Sequence, residues 1–181
     1  PPDGKGNTGQ VTTMPVFDKN IYVIIRLPIP YYPVLVMYLF PFRHSFKDRK
    51  YQLPFAVGIT NEAQGAGYTW FIDVDKPRLI RELLPKSILV VKTTKGYHYY
   101  LDILESTFIK AMKMAYRYHK TYGDMGQLRL ALSRNNLMIT RIYGKYFEPL
   151  EIIHERESQY TELENWKNHV IELILKLNSK G

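Results

Sequence analysis

The 181-residue sequence contains no cysteine. That absence excludes disulfides, cysteine-ligated zinc, iron–sulfur clusters and a thiol nucleophile. A long uninterrupted apolar run is also missing. The most apolar window, 21–40, carries Arg26 and the prolines Pro28, Pro30 and Pro33. It reads as two strands with a rigid connection, not as a membrane span. Internal repeats, low-complexity blocks and signal-peptide features are absent too. The expectation is a cytoplasmic protein with no membrane partner.

What is present suits one folded domain: the length can bury a core, and 45% of the residues are hydrophobic. Charge is abundant but uneven. The net charge is +8, from 25 Lys and Arg against 17 Asp and Glu. Residues 1–147 hold a net +11 and residues 148–181 a net −3. A basic body points to a polyanionic partner, most simply nucleic acid or a nucleoside triphosphate, or serves solubility alone.

Residues 1–13 have no apolar period and read as a flexible tail. Strands are expected at Ile21–Leu27, Val34–Phe40, Pro54–Thr60 and Tyr68–Val74, where β-branched and aromatic residues cluster. The basic loop between the second and third of these contains Arg43, Lys47, Arg49 and Lys50. Lys76–Leu84 reads as a short helix stopped by Pro85. Ser87–Lys92 and Tyr97–Ile103 read as paired strands. Glu105–Tyr122 has helical spacing, with Phe108, Ile109, Met112, Ala115 and Tyr116 on one face. Gln127–Ser133 and Leu137–Ile142 read as a hairpin. Thr161-Glu162-Leu163-Glu164 resembles a capping box before a last helix, with Leu163, Trp166, Val170, Ile174 and Leu177 as its apolar stripe. The expected fold is α+β: an RRM-like, ferredoxin-like split β-α-β antiparallel sheet with an accompanying N-terminal α/β unit. The expected organisation is a domain over 14–150, with a C-terminal helix in 151–181 packed on it or appended to it.

Three features carry chemistry. In Ile72-Asp73-Val74-Asp75 the two carboxylates, two residues apart on a strand, project from one face. They repel unless a cation lies between them, and oxygen ligands at that spacing suit Mg²⁺ or Mn²⁺. The plainer alternative is that Asp75 caps the helix at 76–84 while Asp73 pairs with an arginine. The second feature is Thr93-Thr94-Lys95-Gly96-Tyr97-His98. Hydroxyls, a glycine and a lysine in one hairpin can cradle phosphate, with His98 as a further donor; an ordinary hairpin is the alternative. The third is Asp124, followed by Leu128-Arg129-Leu130. Asp124 can complete a three-carboxylate metal site, and Arg129 can hold a triphosphate or template. A turn aspartate with solvent-facing arginines accounts for the same residues.

Taken together, the three features resemble the archaeo-eukaryotic primase superfamily, including the primase-polymerases of archaeal plasmids and viruses. Ile72-Asp73-Val74-Asp75 matches its acidic strand, Thr93–His98 its hydroxyl-basic-His motif, and Asp124 with Leu128-Arg129-Leu130 its last motif more loosely. The resemblance covers about 68–142. The third motif departs in having Gly123 where the family has a hydrophobic residue, and the zinc-binding insertion of many relatives is absent. The resemblance implies a catalytic DNA primase or polymerase, a nucleotidyltransferase of DNA replication. It implies that Asp73, Asp75 and Asp124 bind two divalent cations, Mg²⁺ or Mn²⁺. It also implies that Thr94, Lys95 and His98, with Arg129, contact the incoming nucleotide. The expected partners are nucleoside triphosphates, a single-stranded DNA template or primer tracked by Arg43, Lys47, Arg49 and Lys50, and a replication helicase or other replication protein.

Two other classes use the same residues. A metal-dependent nuclease would recruit further carboxylates, with Glu82, Asp102 and Glu105 available. A noncatalytic RRM-like module would bind single strands on exposed sheet aromatics and tolerate loss of both aspartates. A rolling-circle initiator needs a His-hydrophobe-His pair. None of His44, His98, His119, His154 and His169 is so spaced.

Overall fold

A computed structural model of the chain describes residues 9–14, 20–40, 52–123 and 125–179. Among them the order is β1 (Gln10–Met14), β2 (Ile21–Arg26), β3 (Pro33–Leu39), β4 (Gln52–Ala63), β5 (Gly67–Val74), a 3₁₀ helix (Arg81–Lys86), β6 (Ser87–Lys92) and β7 (Tyr97–Glu105). Then follow α1 (Phe108–Thr121), α2 (Met125–Ser133), β8 (Ile139–Tyr146), β9 (Glu151–Glu155) and α3 (Thr161–Asn178). The fold is α+β, with one nine-stranded sheet ordered β1-β2-β3-β4-β5-β7-β6-β9. Its strand pairs are antiparallel.

The ninth strand, β8, pairs with β4 instead of β5. β4 is long enough to serve two partners on one edge. It meets β8 through Gln52–Thr60 and β5 through only Glu62↔Tyr68 and Ala63↔Gly67. The sheet therefore forks just after Thr60. One limb carries β1, β2, β3 and β8 about β4, and the other is β5-β7-β6-β9. The order β5-β7-β6 is how a split β-α-β begins, but β8 departs from that pattern by leaving β5 for β4.

Both faces of the second limb are covered. Trp70 points to α1, where its ring meets Phe108 at 5.1 Å and its indole N–H donates to His119 Nε2 at 2.7 Å. On the opposite face, Phe71 and Tyr100 pack together and Tyr100 meets Trp166 of α3. Leu163, Trp166, Val170 and Ile174 of α3 join Trp70, Ile72 and Val90 in one core. The C-terminal helix is thus packed into the domain. Lys167 is buried with it, at 1% exposure. Its ammonium donates to Arg156 O at 2.9 Å and lies 3.0 Å from Glu155 and 2.9 Å from Glu164. A buried charge is tolerated only when its protons are so satisfied. A smaller cluster, Tyr22, Ile24, Val34, Val36 and Leu137, fills the first limb.

Several expectations are corrected. Gln10–Met14 pairs with β2, so the stretch expected to be a tail contributes an edge strand. Lys76–Ile80 is irregular and only Arg81–Lys86 forms a 3₁₀ turn, with Pro85 inside it. Gln127–Ser133 is helical, not a strand. Alternating Leu128, Leu130 and Leu132 suggested a strand, but Leu128 and Ala131 are the buried pair, and Gln, Leu, Arg and Ala are strong helix formers. In α1 the buried face is Phe108, Ala111, Ala115 and His119, while Ile109 and Tyr116 are exposed. Thr161 is the first residue of α3, and the preceding Tyr160 makes no side-chain cap. Glu164 instead accepts from Ser158 N–H at 2.9 Å. No helix among the described residues is long and apolar enough to cross a membrane.

Candidate active site

Asp73 lies one residue from the end of β5, directly across the ladder from His98 on β7. Its Oδ1 is 3.4 Å from His98 Nε2, an ion-pair distance without hydrogen-bond alignment. The other ring nitrogen, Nδ1, is 3.2 Å from Thr140 Oγ1 on β8. His98, 4% exposed, thus joins the two limbs of the fork. Asp73 N–H donates to Gln127 Oε1 at 3.2 Å, so α2 is tied to the same residue. Among the described residues, the buried Oδ1 of Asp73 has no hydrogen-bond partner. Burial works to raise the Asp73 pKa, but the fields of His98, Arg141 and Lys145 together outweigh it and hold the carboxyl below the usual aspartate range.

Asp75 is exposed just beyond β5, and no helix begins there for it to cap. The partner of Asp73 is a histidine. The capping part of the plainer alternative fails, and among the described residues the nearest charged partner of Asp73 is His98, with Arg141 acting on it through its field. The hairpin at Thr93–Gly96 is closed by Thr93 N–H donating to Gly96 O at 2.8 Å and Gly96 N–H donating to Thr93 Oγ1 at 3.0 Å. Gly96 is required there for a steric reason. A β-carbon would overlap Val74 O and come within 2.7 Å of Lys76 N. The bare α-carbon lets the hairpin seat directly against the backbone carrying Asp75.

The opposite wall comes from β8. Gly144 and Lys145 are both left-handed, at φ 86° and 62°, where the β4–β8 register shifts. A side chain at Gly144 would meet Phe55 O at 2.7 Å. Lys145 is not a glycine, and its left-handed backbone costs about 1 kcal/mol or more. The bulge places three cations around one ring. Arg141, Lys145 and Lys95 lie 5.3, 5.4 and 5.6 Å from the centre of Tyr146. Arg141 also donates to Gly144 O at 2.9 Å. Burial lowers the Arg141 pKa from its very high ordinary value, and it stays charged. Asp73, Asp75, Thr93, Lys95, His98, Arg141 and Lys145 line a shared pocket of about 180 Å³.

The structure brings together Asp73, Asp75, Lys95 and His98. Thr94 stands exposed beside the pocket on the hairpin tip, while its neighbour Thr93 lines the wall. Arg129 is exposed on α2 and does not line the pocket. Asp124, Arg43, Lys47, Arg49 and Lys50 lie outside the described residues. Among the described residues, no group of three or more His, Asp or Glu side chains is placed to hold a metal ion. The orphaned Oδ1 of Asp73, with Asp75 on the same pocket, nevertheless fits a hard divalent cation. Asp102 is otherwise engaged. Its carboxylate accepts from Arg156 at 3.0 Å, Ser158 at 2.7 Å and Gln159 N–H at 3.2 Å. It is a brace for the turn before α3, which weakens the nuclease reading. Tyr99 and Tyr100, on opposite faces of β7, are each at most 1% exposed, so neither ring is presented for stacking by a single strand.

The pocket residues not anticipated are Tyr38, Ile139, Thr140, Arg141, Lys145 and Tyr146, and the Gln127 bond to Asp73 N–H was not anticipated either. Tyr-Gly-Lys-Tyr at 143–146 held one usable signal, a glycine inside a strand pattern marking a bulge. Comparison with protein-family models, curated proteins and solved structures finds no match for this chain.

Proposed function

We propose that the chain is a template-directed nucleotidyltransferase of the archaeo-eukaryotic primase type, a cytoplasmic enzyme joining nucleoside triphosphates on single-stranded DNA. One observation carries the reading. The Asp73 carboxylate, with a buried oxygen that has no hydrogen-bond partner among the described residues, shares one pocket with three cations gathered around Tyr146. Carboxylates alone suit a cation and cations alone suit an anion. The two walls together suit a metal-bound polyphosphate. The β5-β7-β6 limb then corresponds to the RRM-like catalytic core, with the first limb as the accompanying unit.

Bound Mg²⁺ or Mn²⁺ supplies Lewis-acid activation and charge neutralisation in such chemistry. Asp73 and Asp75 would hold it, with Asp124 as the further carboxylate of the proposal. Lys95, Arg141 and Lys145 bind and orient the triphosphate and stabilise the charge that passes to the leaving diphosphate. His98 stabilises the Asp73 carboxylate through the field of its ring, with Nε2 3.4 Å from Oδ1, while Thr140 fixes that ring from the other side. Catalysis is then positioning and electrostatics, with no protein nucleophile. Arg43, Lys47, Arg49 and Lys50 are proposed to track the template.

Extension of a labelled primer on a single-stranded template, with Mn²⁺ and nucleotides, tests the reading. Asp73→Asn should lose at least about 10²-fold in rate while keeping its circular dichroism. Arg141→Ala should chiefly raise the nucleotide KM. Full extension by folded Asp73→Asn would refute the assignment, and shortening of the primer would favour the nuclease class.

A further inference from the structure

A second cavity, of about 310 Å³, adjoins the first and shares Tyr38, Asp73, Ile139 and Lys145 with it. Beyond the shared residues it lies between α2 and strands β2 and β3, lined by Tyr22, Leu130, Leu137 and Met138 with one further cation, Arg134, so it is richer in aromatic and apolar groups than the first. Tyr38 stacks on Tyr22 with centroids 5.8 Å apart and planes at 24°, and Phe40 meets its edge at 5.5 Å. Tyr22 is itself held firmly. It is 1% exposed, its hydroxyl accepts from Arg134 at 2.6 Å, and that guanidinium lies 4.9 Å from its ring centre. Tyr38 is therefore a rigid, half-buried aromatic surface at the junction of the two cavities. Gly58 makes the arrangement possible. A β-carbon there would lie 2.6 Å from Ile139 Cγ2 and 3.2 Å from Tyr38 Cε1. Gln127 forms part of the facing wall and accepts from Asp73 N–H.

Two chambers of contrasting chemistry thus meet at Asp73. A triphosphate matches the cationic chamber. A flat base, which gains from stacking whatever its identity, matches the aromatic one. We propose that the Tyr38 chamber seats the 3′-terminal base of the strand being extended, on the side of Asp73 opposite the triphosphate. This rests on the nucleotidyl-transfer reading and adds where the acceptor lies.

A single strand carrying 2-aminopurine at its 3′ end tests the seat without turnover, using the full chain. The terminal analogue is quenched on binding, more strongly than the same analogue placed several nucleotides inside. Tyr38→Leu abolishes the extra quench and weakens strand binding about tenfold, well beyond any change in nucleotide affinity, while Tyr38→Phe keeps the quench and strand binding. Equal quenching of terminal and internal analogues by the wild-type chain overturns the seat, and that comparison needs no variant. So does a Tyr38→Leu variant that loses nucleotide affinity and keeps strand affinity. Terminal quenching that depends on Tyr38, in a protein that never extends, would refute nucleotidyl transfer and leave the seat standing. Extension that depends on Asp73 but is unchanged in Tyr38→Leu would do the reverse.

Discussion

Gly96→Ala adds one methyl group at the point where the hairpin touches the end of β5. The methyl would overlap Val74 O and stand 2.7 Å from Lys76 N. A β-carbon essentially never comes within roughly 3 Å of such atoms, so the hairpin must retreat by about 1 Å or more. Both obstacles are backbone, and no side chain can swing aside. Overpacking of this kind costs about 1–3 kcal/mol. Taking about 2 kcal/mol, a domain of this size should lose roughly 4–8 °C in Tm. The retreat also separates Thr93 and Lys95 from Asp75. A displacement of about 1 Å among positioned groups costs on the order of 10²-fold in rate. The assay pairs calorimetry with primer extension at a temperature where the variant is fully folded. Activity should fall far more than the folded fraction does. A variant with wild-type melting and wild-type extension would show that the hairpin–strand contact does not set the geometry of the site.

Two further outcomes follow from groups described above. Lys167→Met removes an ammonium held by one carbonyl and two carboxylates. Full burial would make this a loss of about 3–5 kcal/mol, but Glu155 and Glu164 keep access to water, so about 2 kcal/mol is expected from urea midpoints. A loss below about 0.5 kcal/mol would show that the cluster contributes little. The Asp73 carboxyl is held below its ordinary range, so in acid the native state binds fewer protons there than the unfolded chain does. Its stabilising contribution is complete above the unfolded pKa, near 4, and is lost as pH falls through the lower folded value. Asp73→Asn should therefore show a shallower loss of stability as pH falls below about 4, measured by urea titration at each pH. An unchanged slope would mean that His98, Arg141 and Lys145 do not stabilise the carboxylate.

Much of the sheet was legible because its strands carry strong local signals. Ile21–Arg26, Tyr68–Val74 and Tyr97–His98 with their neighbours are dense in β-branched and aromatic residues, and β2, β5, β6 and β7 lie close to their expected bounds. Asp73, Asp75, Lys95 and His98 were legible as a group because they sit on, or directly beside the ends of, the neighbouring strands β5, β6 and β7. Arg141 and Lys145 were not, since their place depends on β8 pairing with a strand some eighty residues earlier. Periodicity reports which face a residue shares and not which strand lies beside it. In α2, alternation and helix propensity disagreed, and packing of Leu128 and Ala131 decided for helix. The edge strands β1 and β9 carry little apolar content of their own. β9 is set by its pairing with β6, which no local pattern reveals.

The fork after Thr60 has a consequence for the order in which the protein assembles. The acidic wall needs only β5, β6 and β7, which close on one another through a tight hairpin and one short crossover. The cationic wall waits for a distant meeting, Thr60 with Ile139 and Ala56 with Gly144. Contacts of such separation carry a large loop-closure cost and form late. Asp73 and His98 can therefore come into register before Arg141 and Lys145 are brought to face them. The pocket becomes a two-sided enclosure only when β8 docks, and α3 then covers the seam.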